Sequence, residues 1–188
     1  MRHRKRGRHL GRTSTHRRAM LRNLASALFL TERELLPDEP EPKQPGQIIT
    51  TLAKAKEVRP LVERCIRIAC ESLSAAREAE QYATTAKRGT DAWRQWRQSE
   101  QWRKWAAARA VVVNARRRVI RLLGDKKAAD VLFTKIAPRY ENRTGGYIRV
   151  LRLAKPRLGD AGPRALLQLV GKHDRVSRKT QRPTVVSS

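Results

Sequence analysis

No acidic side chain occurs in the first 31 residues of this chain, although positions 1–22 hold nine Arg or Lys and three His. Like charge at that density repels itself. That excludes a collapsed N-terminal core and leaves an arm that needs a polyanion to order against. Cysteine is scarce too, with only Cys65 and Cys70. Five residues apart on a helix they point about 140° away from each other, which argues against a shared metal or a mutual disulfide and for free thiols in a reducing compartment. Long apolar runs are missing, and no segment approaches the ~20 apolar residues of a membrane-spanning helix. The N-terminus has no secretory apolar region, though its Arg-rich, acid-free composition superficially suits a mitochondrial transit peptide.

Catalytic groupings are missing as well. His3, His9 and His16 lie in the arm, where nothing fixes a ring's orientation, and His173 sits near the C-terminus. The HExxH, CxxC and nucleophile-elbow spacings do not occur. Gly171-Lys172 lacks the preceding glycine of a phosphate loop. Carboxylates in the Pro-rich stretch 31–46 read as too exposed to hold perturbed pKa values. Nothing here calls for an enzyme, a cofactor, a metal or a small-molecule substrate.

What the chain has is positive charge: 43 Lys and Arg against 17 Asp and Glu, a net +26 in 188 residues. Such a surplus selects among nucleic acid, an anionic membrane and an acidic protein. The arm decides for nucleic acid, because Arg forks match phosphate geometry while Arg and His planes stack on bases. Arg2, His3, Arg4, Lys5, Arg6, Arg8, His9, Arg12, His16, Arg17, Arg18 and Arg22 are the candidate contacts. Phosphate contacts of this kind are strongly salt-dependent and carry little specificity, so a folded surface must share the recognition.

Periodicity supplies that folded part. Residues 1–12 read as an extended, solvated arm. Thr13-Ser14-Thr15 offers cap hydroxyls to a helix with an apolar stripe at Leu21, Leu24, Ala25 and Leu28, and with Arg18 and Arg22 on another face. Residues 31–46 alternate carboxylates with Pro37, Pro40, Pro42 and Pro45, which predicts an acidic, stiff surface loop. Gln47–Thr51 predicts a strand. A helix follows through Leu73, with Pro60 either kinking it or opening a second segment. Residues 74–113 favour helix, with a break near Arg88-Gly89, and hold Trp93, Trp96, Trp102 and Trp105. On one continuous helix those four rings form no single stripe. Both packing and base stacking remain open to them. Arg116–Leu123 and Ala128–Ile136 predict helices around Gly124-Asp125, the second stopped by Pro138. Tyr147–Leu153 and Ala165–Val170 predict strands, and residues 171–188 a disordered basic tail. The order predicts an α+β domain over 13–170 with helices on one side of a small sheet.

Within it, Arg139, Arg143, Gly145, Gly146, Tyr147 and Arg149 combine glycines that admit a close phosphate with cations that neutralise it and rings that can stack. A tight turn into a strand explains the same glycines. The stretch Lys54-Ala-Lys56-Glu57-Val-Arg59 offers a further basic face, or an ordinary polar one.

The run Met1-Arg-His-Arg-Lys-Arg-Gly-Arg-His-Leu10-Gly-Arg12-Thr-Ser-Thr-His16-Arg-Arg-Ala-Met20-Leu-Arg22-Asn23-Leu24-Ala25 resembles the N-terminal signature of the bacterial large-subunit ribosomal protein L17 family. So do Ile49–Pro60, Leu132–Tyr140, Arg143–Leu151 and Gly159–Pro163, in family order. The resemblance implies a two-layer α/β domain with a basic extension, bound to large-subunit ribosomal RNA and beside neighbouring ribosomal proteins near the exit of the polypeptide tunnel. It implies no activity and no membrane, and it places the protein on cytoplasmic ribosomes. A signature starting at Met1 sets aside the transit-peptide reading. A DNA-compacting nucleoid protein is the alternative that composition alone permits. Two stretches depart from the family pattern: the Pro-acidic segment 31–46 and the expanded helical segment 74–109 with every Trp, expected to meet a neighbouring protein or an RNA expansion.

Overall fold

The structure, a computed structural model, describes residues 7–35, 42 and 44–171. Arg2, His3, Arg4, Lys5, Arg6 and the tail from Lys172 onward lie outside the described residues. Helix α1 spans Ser14–Leu30. It starts at Thr13 through a backbone bond, Arg17 N to Thr13 O at 2.9 Å, and not through the expected side-chain cap. Its helical spacing buries Ala25, Leu28 and Phe29 and leaves Arg18 and Arg22 exposed. The helix ends in a clasp. Thr31 Oγ1 donates to Leu28 O and accepts from Gly46 N at 2.9 Å, so the two ends of the 31–46 segment meet.

Strand β1 (Gln47–Thr51) leads straight into α2 (Leu52–Glu71). The helix runs unbroken through Pro60, whose exposed position lets water take up the carbonyl its ring leaves unbonded. Helix α3 (Leu73–Gln81) packs against α5 (Glu100–Leu123), and the short α4 (Asp91–Gln98) folds onto α5. The segment read as a helix from Arg116 is thus the end of a much longer one. Gly124, at φ +78°, closes α5 in the left-handed conformation glycine adopts without strain. Asp125 then caps α6 (Lys126–Val131), its Oδ1 accepting from Lys127 N and Ala128 N at 2.8 and 3.2 Å. The expected end at Ile136 is kept, and the chain goes on in a tighter turn. A π turn over Leu132–Ile136 passes into a 3₁₀ turn over Ala137–Tyr140, where Pro138 occupies an early position that needs no N–H donor.

Strands β2 (Ile148–Arg152) and β3 (Arg164–Leu169) complete an antiparallel sheet of order β1-β3-β2. Ile48 stands opposite Leu167, and Leu167 opposite Val150. This inner face meets α2, and the core is built from Leu28, Phe29, Val58, Val62, Ile66, Val119, Leu132, Ile136, Leu167 and Leu169, each fully buried. The α+β prediction holds. Cys65 lies inside this core, where burial pushes its thiol up to about 12, and Cys70 is half-buried; both are free.

Candidate nucleic-acid interface

The N-terminal half of α2 and the edge strand β2 leave a groove of about 800 Å³ between them. Lys56, Arg59, Arg143, Arg149 and Arg152 line it, with Leu52, Ile148, Val150 and Val170 beneath, and among the described residues no carboxylate stands on its walls. Five cations around an open apolar floor raise the local potential for an anion far above that of scattered surface charges. Each wall has a local cause. Lys56 and Arg59, three residues apart, share one face of α2. Arg59 Nε is steadied by Glu63 at 3.0 Å. At the groove's end the chain turns at Gly146, whose φ of +65° suits glycine and whose missing side chain keeps the wall low beside Arg143 Nη2. Arg143 Nε donates to Gly145 O at 2.9 Å, which fixes the start of that side chain.

Of the residues expected on this surface, the structure gathers Lys56, Arg143, Gly146 and Arg149 around the groove, with Gly145 adjoining in the chain. Three others go elsewhere. Lys54 is half-buried and, about 200° around α2 from Lys56, does not line the groove. Tyr147 is only 3% exposed. Its hydroxyl donates to Arg143 O at 2.9 Å and its ring packs 5.2 Å from that of Tyr140, so it braces the turn from inside and presents no face to a base. Burial raises the pKa of both tyrosines. Tyr140 donates in turn to Val170 O.

Arg139 is held by Glu32. Its Nη1 donates to Oε1 at 3.1 Å and its Nη2 to Oε2, and that hydrogen bonding raises the guanidinium's pKa. Glu32 is 6% exposed, which corrects its reading as part of an exposed acidic loop. The pair ties the end of α1 to the 3₁₀ turn. Glu34 reaches Lys135 nearby at 3.1 Å.

The arm's root is bent where an extended course was expected. Leu10 and Gly11 both take positive φ, 56° and 62°, and Arg12 N bonds back to His9 O. His9 and Arg12 then meet α1 through Arg17 and His16, at 3.3 and 3.4 Å. Arg8 and His9 stay exposed. A Cβ placed on Gly7 would come 3.5 Å from Glu57 Oε1, one residue along α2 from Lys56. The bend therefore delivers the arm to the helix that forms one wall of the groove.

Arg59, which closes the Lys54–Arg59 stretch, and Arg152 join the groove beyond the candidate contacts. The three-residue step from Lys56 was signal enough for Arg59. Nothing local marks Arg152, because its place depends on β2 being an edge strand.

Among the described residues no group of His, Cys, Asp and Glu could hold a metal ion, and no helix is long and apolar enough to cross a membrane.

Residues 20–170 match a family model described as Ribosomal protein L17. A large ribosomal subunit protein bL17 of Rhodopirellula baltica is 62% identical over 183 residues, covering 97% of this chain and 87% of that protein. The bL17 of Thermus thermophilus is 38% identical over 170 residues, 90% of this chain and 99% of its own length. That of Syntrophotalea carbinolica is 35% identical over 170 residues, 90% of this chain and 75% of its own length.

Proposed function

Since the chain belongs to the ribosomal protein L17 family, we infer that it serves as a structural constituent of the large ribosomal subunit, holding ribosomal RNA through two adjoining basic surfaces. One is the arm with the exposed face of α1: Arg2, His3, Arg4, Lys5, Arg6, Arg8, His9, Arg12, His16, Arg17, Arg18 and Arg22. The other is the groove of Lys56, Arg59, Arg143, Gly146, Arg149 and Arg152. The observation that carries the reading is the groove itself, with five cations and, among the described residues, no carboxylate on its walls. Arg139 and Tyr147 are assigned to shaping that surface and not to touching RNA.

The protein is not an enzyme. Its role is to neutralise phosphate where RNA segments come together. The arm follows the backbone, and the folded groove, whose cations are set by α2 and β2, gives that contact a fixed geometry. A nucleoid role finds no support among the relatives, each named as a large ribosomal subunit protein. Neighbouring ribosomal proteins near the tunnel exit complete the proposed setting.

The test is sedimentation of tagged protein with large subunits after a high-salt wash, beside a Lys56→Gln/Arg152→Gln variant. The wild-type chain should stay on the particle stoichiometrically. In binding to isolated ribosomal RNA, the variant should lower the slope of log affinity against log salt by about 1.4–1.8, two contacts at 0.7–0.9 each. A wild-type slope in the variant would remove the groove from the interface.

A further inference from the structure

The stretch 82–110, which the family resemblance did not account for, carries seven cations against only Asp91 and Glu100. Both carboxylates are already engaged, Asp91 with Arg94 at 3.3 Å and Glu100 with Lys104 at 3.2 Å. Among the described residues, Lys87, Arg88, Arg97, Arg103 and Arg109 have no carboxylate partner.

Arg97 differs from the other four because it is held. Its guanidinium carbon lies 5.2 Å from the centre of the Trp93 ring and 5.9 Å from that of Trp102. The rings come from two helices. Ser99 separates α4 from α5 and caps the latter, its hydroxyl accepting from Trp102 N, so the chain folds back and Trp96 meets Trp105 edge-on at 5.5 Å. Trp96 Nε1 donates to Tyr82 O at 3.2 Å and fixes the fold-back. A guanidinium resting on indole faces keeps its N–H edge free, and that edge is the part that bonds phosphate oxygens.

We propose that the α4–α5 tip is a separate RNA-binding site in which Arg97, oriented by Trp93 and Trp102, bonds a backbone phosphate of ribosomal RNA. Charge decides between RNA and a protein partner. Trp and Arg suit either surface, but a tip with surplus cations and both its carboxylates paired complements a polyanion, whereas a protein partner would have to supply a carboxylate for each of them. The site rests on the ribosomal reading above but lies on different helices from the groove.

The experiment measures binding of the full chain to deproteinised large-subunit ribosomal RNA over a range of salt, for the wild type, Arg97→Gln and Arg97→Lys. The Gln variant should lower the salt slope by about 0.7–0.9, one phosphate contact, while the Lys variant keeps the wild-type slope. An unchanged slope in Arg97→Gln overturns the site. Equal losses in both variants overturn it too, since the rings would then only be holding α4 in place. An unchanged slope with loss of a neighbouring ribosomal protein from the assembled subunit assigns the tip to a protein partner instead. If the wild-type chain itself fails to bind the RNA, the ribosomal reading falls and takes this one with it. A wild-type chain that binds normally beside an unaffected Arg97→Gln removes this site alone.

Discussion

At the scale of single residues, Glu32 shows why charge alone misleads. In the sequence it opens an acidic, proline-rich stretch, and Arg139 stands in a basic, glycine-bearing one; both look solvated. They are 107 residues apart, and nothing near either indicates that the fold joins them. Removing one partner of a buried pair leaves the other desolvated without compensation, at a cost of about 3–5 kcal/mol. The Arg139 side chain is 27% exposed against 3% for Glu32, so water relieves part of that penalty. Glu32→Gln is expected to destabilise the chain by about 3 kcal/mol, near the lower bound of that range, read as a lower urea midpoint with unchanged slope. No loss of stability would mean that the pair is incidental. Tyr147 carries a related lesson. A tyrosine after two glycines reads equally as a stacking platform or as a packing anchor, and only its 3% exposure decides for the anchor.

At the scale of elements, periodicity located the apolar faces of α1 and α2, because burial imposes spacings that survive in the sequence, and runs of β-formers located the three strands. Periodicity failed where a break is marked by one hydrogen bond. Taken as one continuous helix, residues 93–105 scatter the four tryptophans. With the break at Ser99 they fall into two pairs, Trp96 on Trp105 and Trp93 with Trp102 about Arg97, and the break is marked by a hydroxyl that accepts from Trp102 N. Of the two prolines, Pro60 faces water and leaves α2 unbroken, while Pro138 marks the change from the π turn that ends at Ile136 to the 3₁₀ turn. Asp125 follows the Gly124 break and its carboxylate serves two backbone donors at the start of α6. Asp125→Ala should cost about 1 kcal/mol, the usual value for a lost helix N-cap. Chemical denaturation would reveal it, and an unchanged midpoint would show that packing alone orders α6.

At the scale of the whole molecule, the partner class could be read from charge before any fold was known, since net charge and its clustering govern association at long range. The groove could not be, because it joins α2 to β2 across some ninety residues. Deleting residues 1–12 removes six Arg or Lys. It should lower the salt slope of RNA binding by up to about 5 if every one meets a phosphate, and leave the thermal midpoint nearly unchanged, since none of its described residues, 7–12, belongs to the buried core. An undiminished slope would place the binding wholly on the folded part. The Thr31–Gly46 clasp has a consequence of another kind. By joining both ends of the acidic stretch at 2.9 Å, beyond the Glu32–Arg139 and Glu34–Lys135 pairs that anchor its first residues, it fixes where the chain leaves α1 and enters β1 whatever the number of residues between. Doubling the length of a flexible loop costs only about 0.6 kcal/mol in closure entropy. The stapled position is therefore a permissive slot, where descendants of one ancestral chain can gain or shed residues and alter the acidic surface while every helix and strand keeps its place.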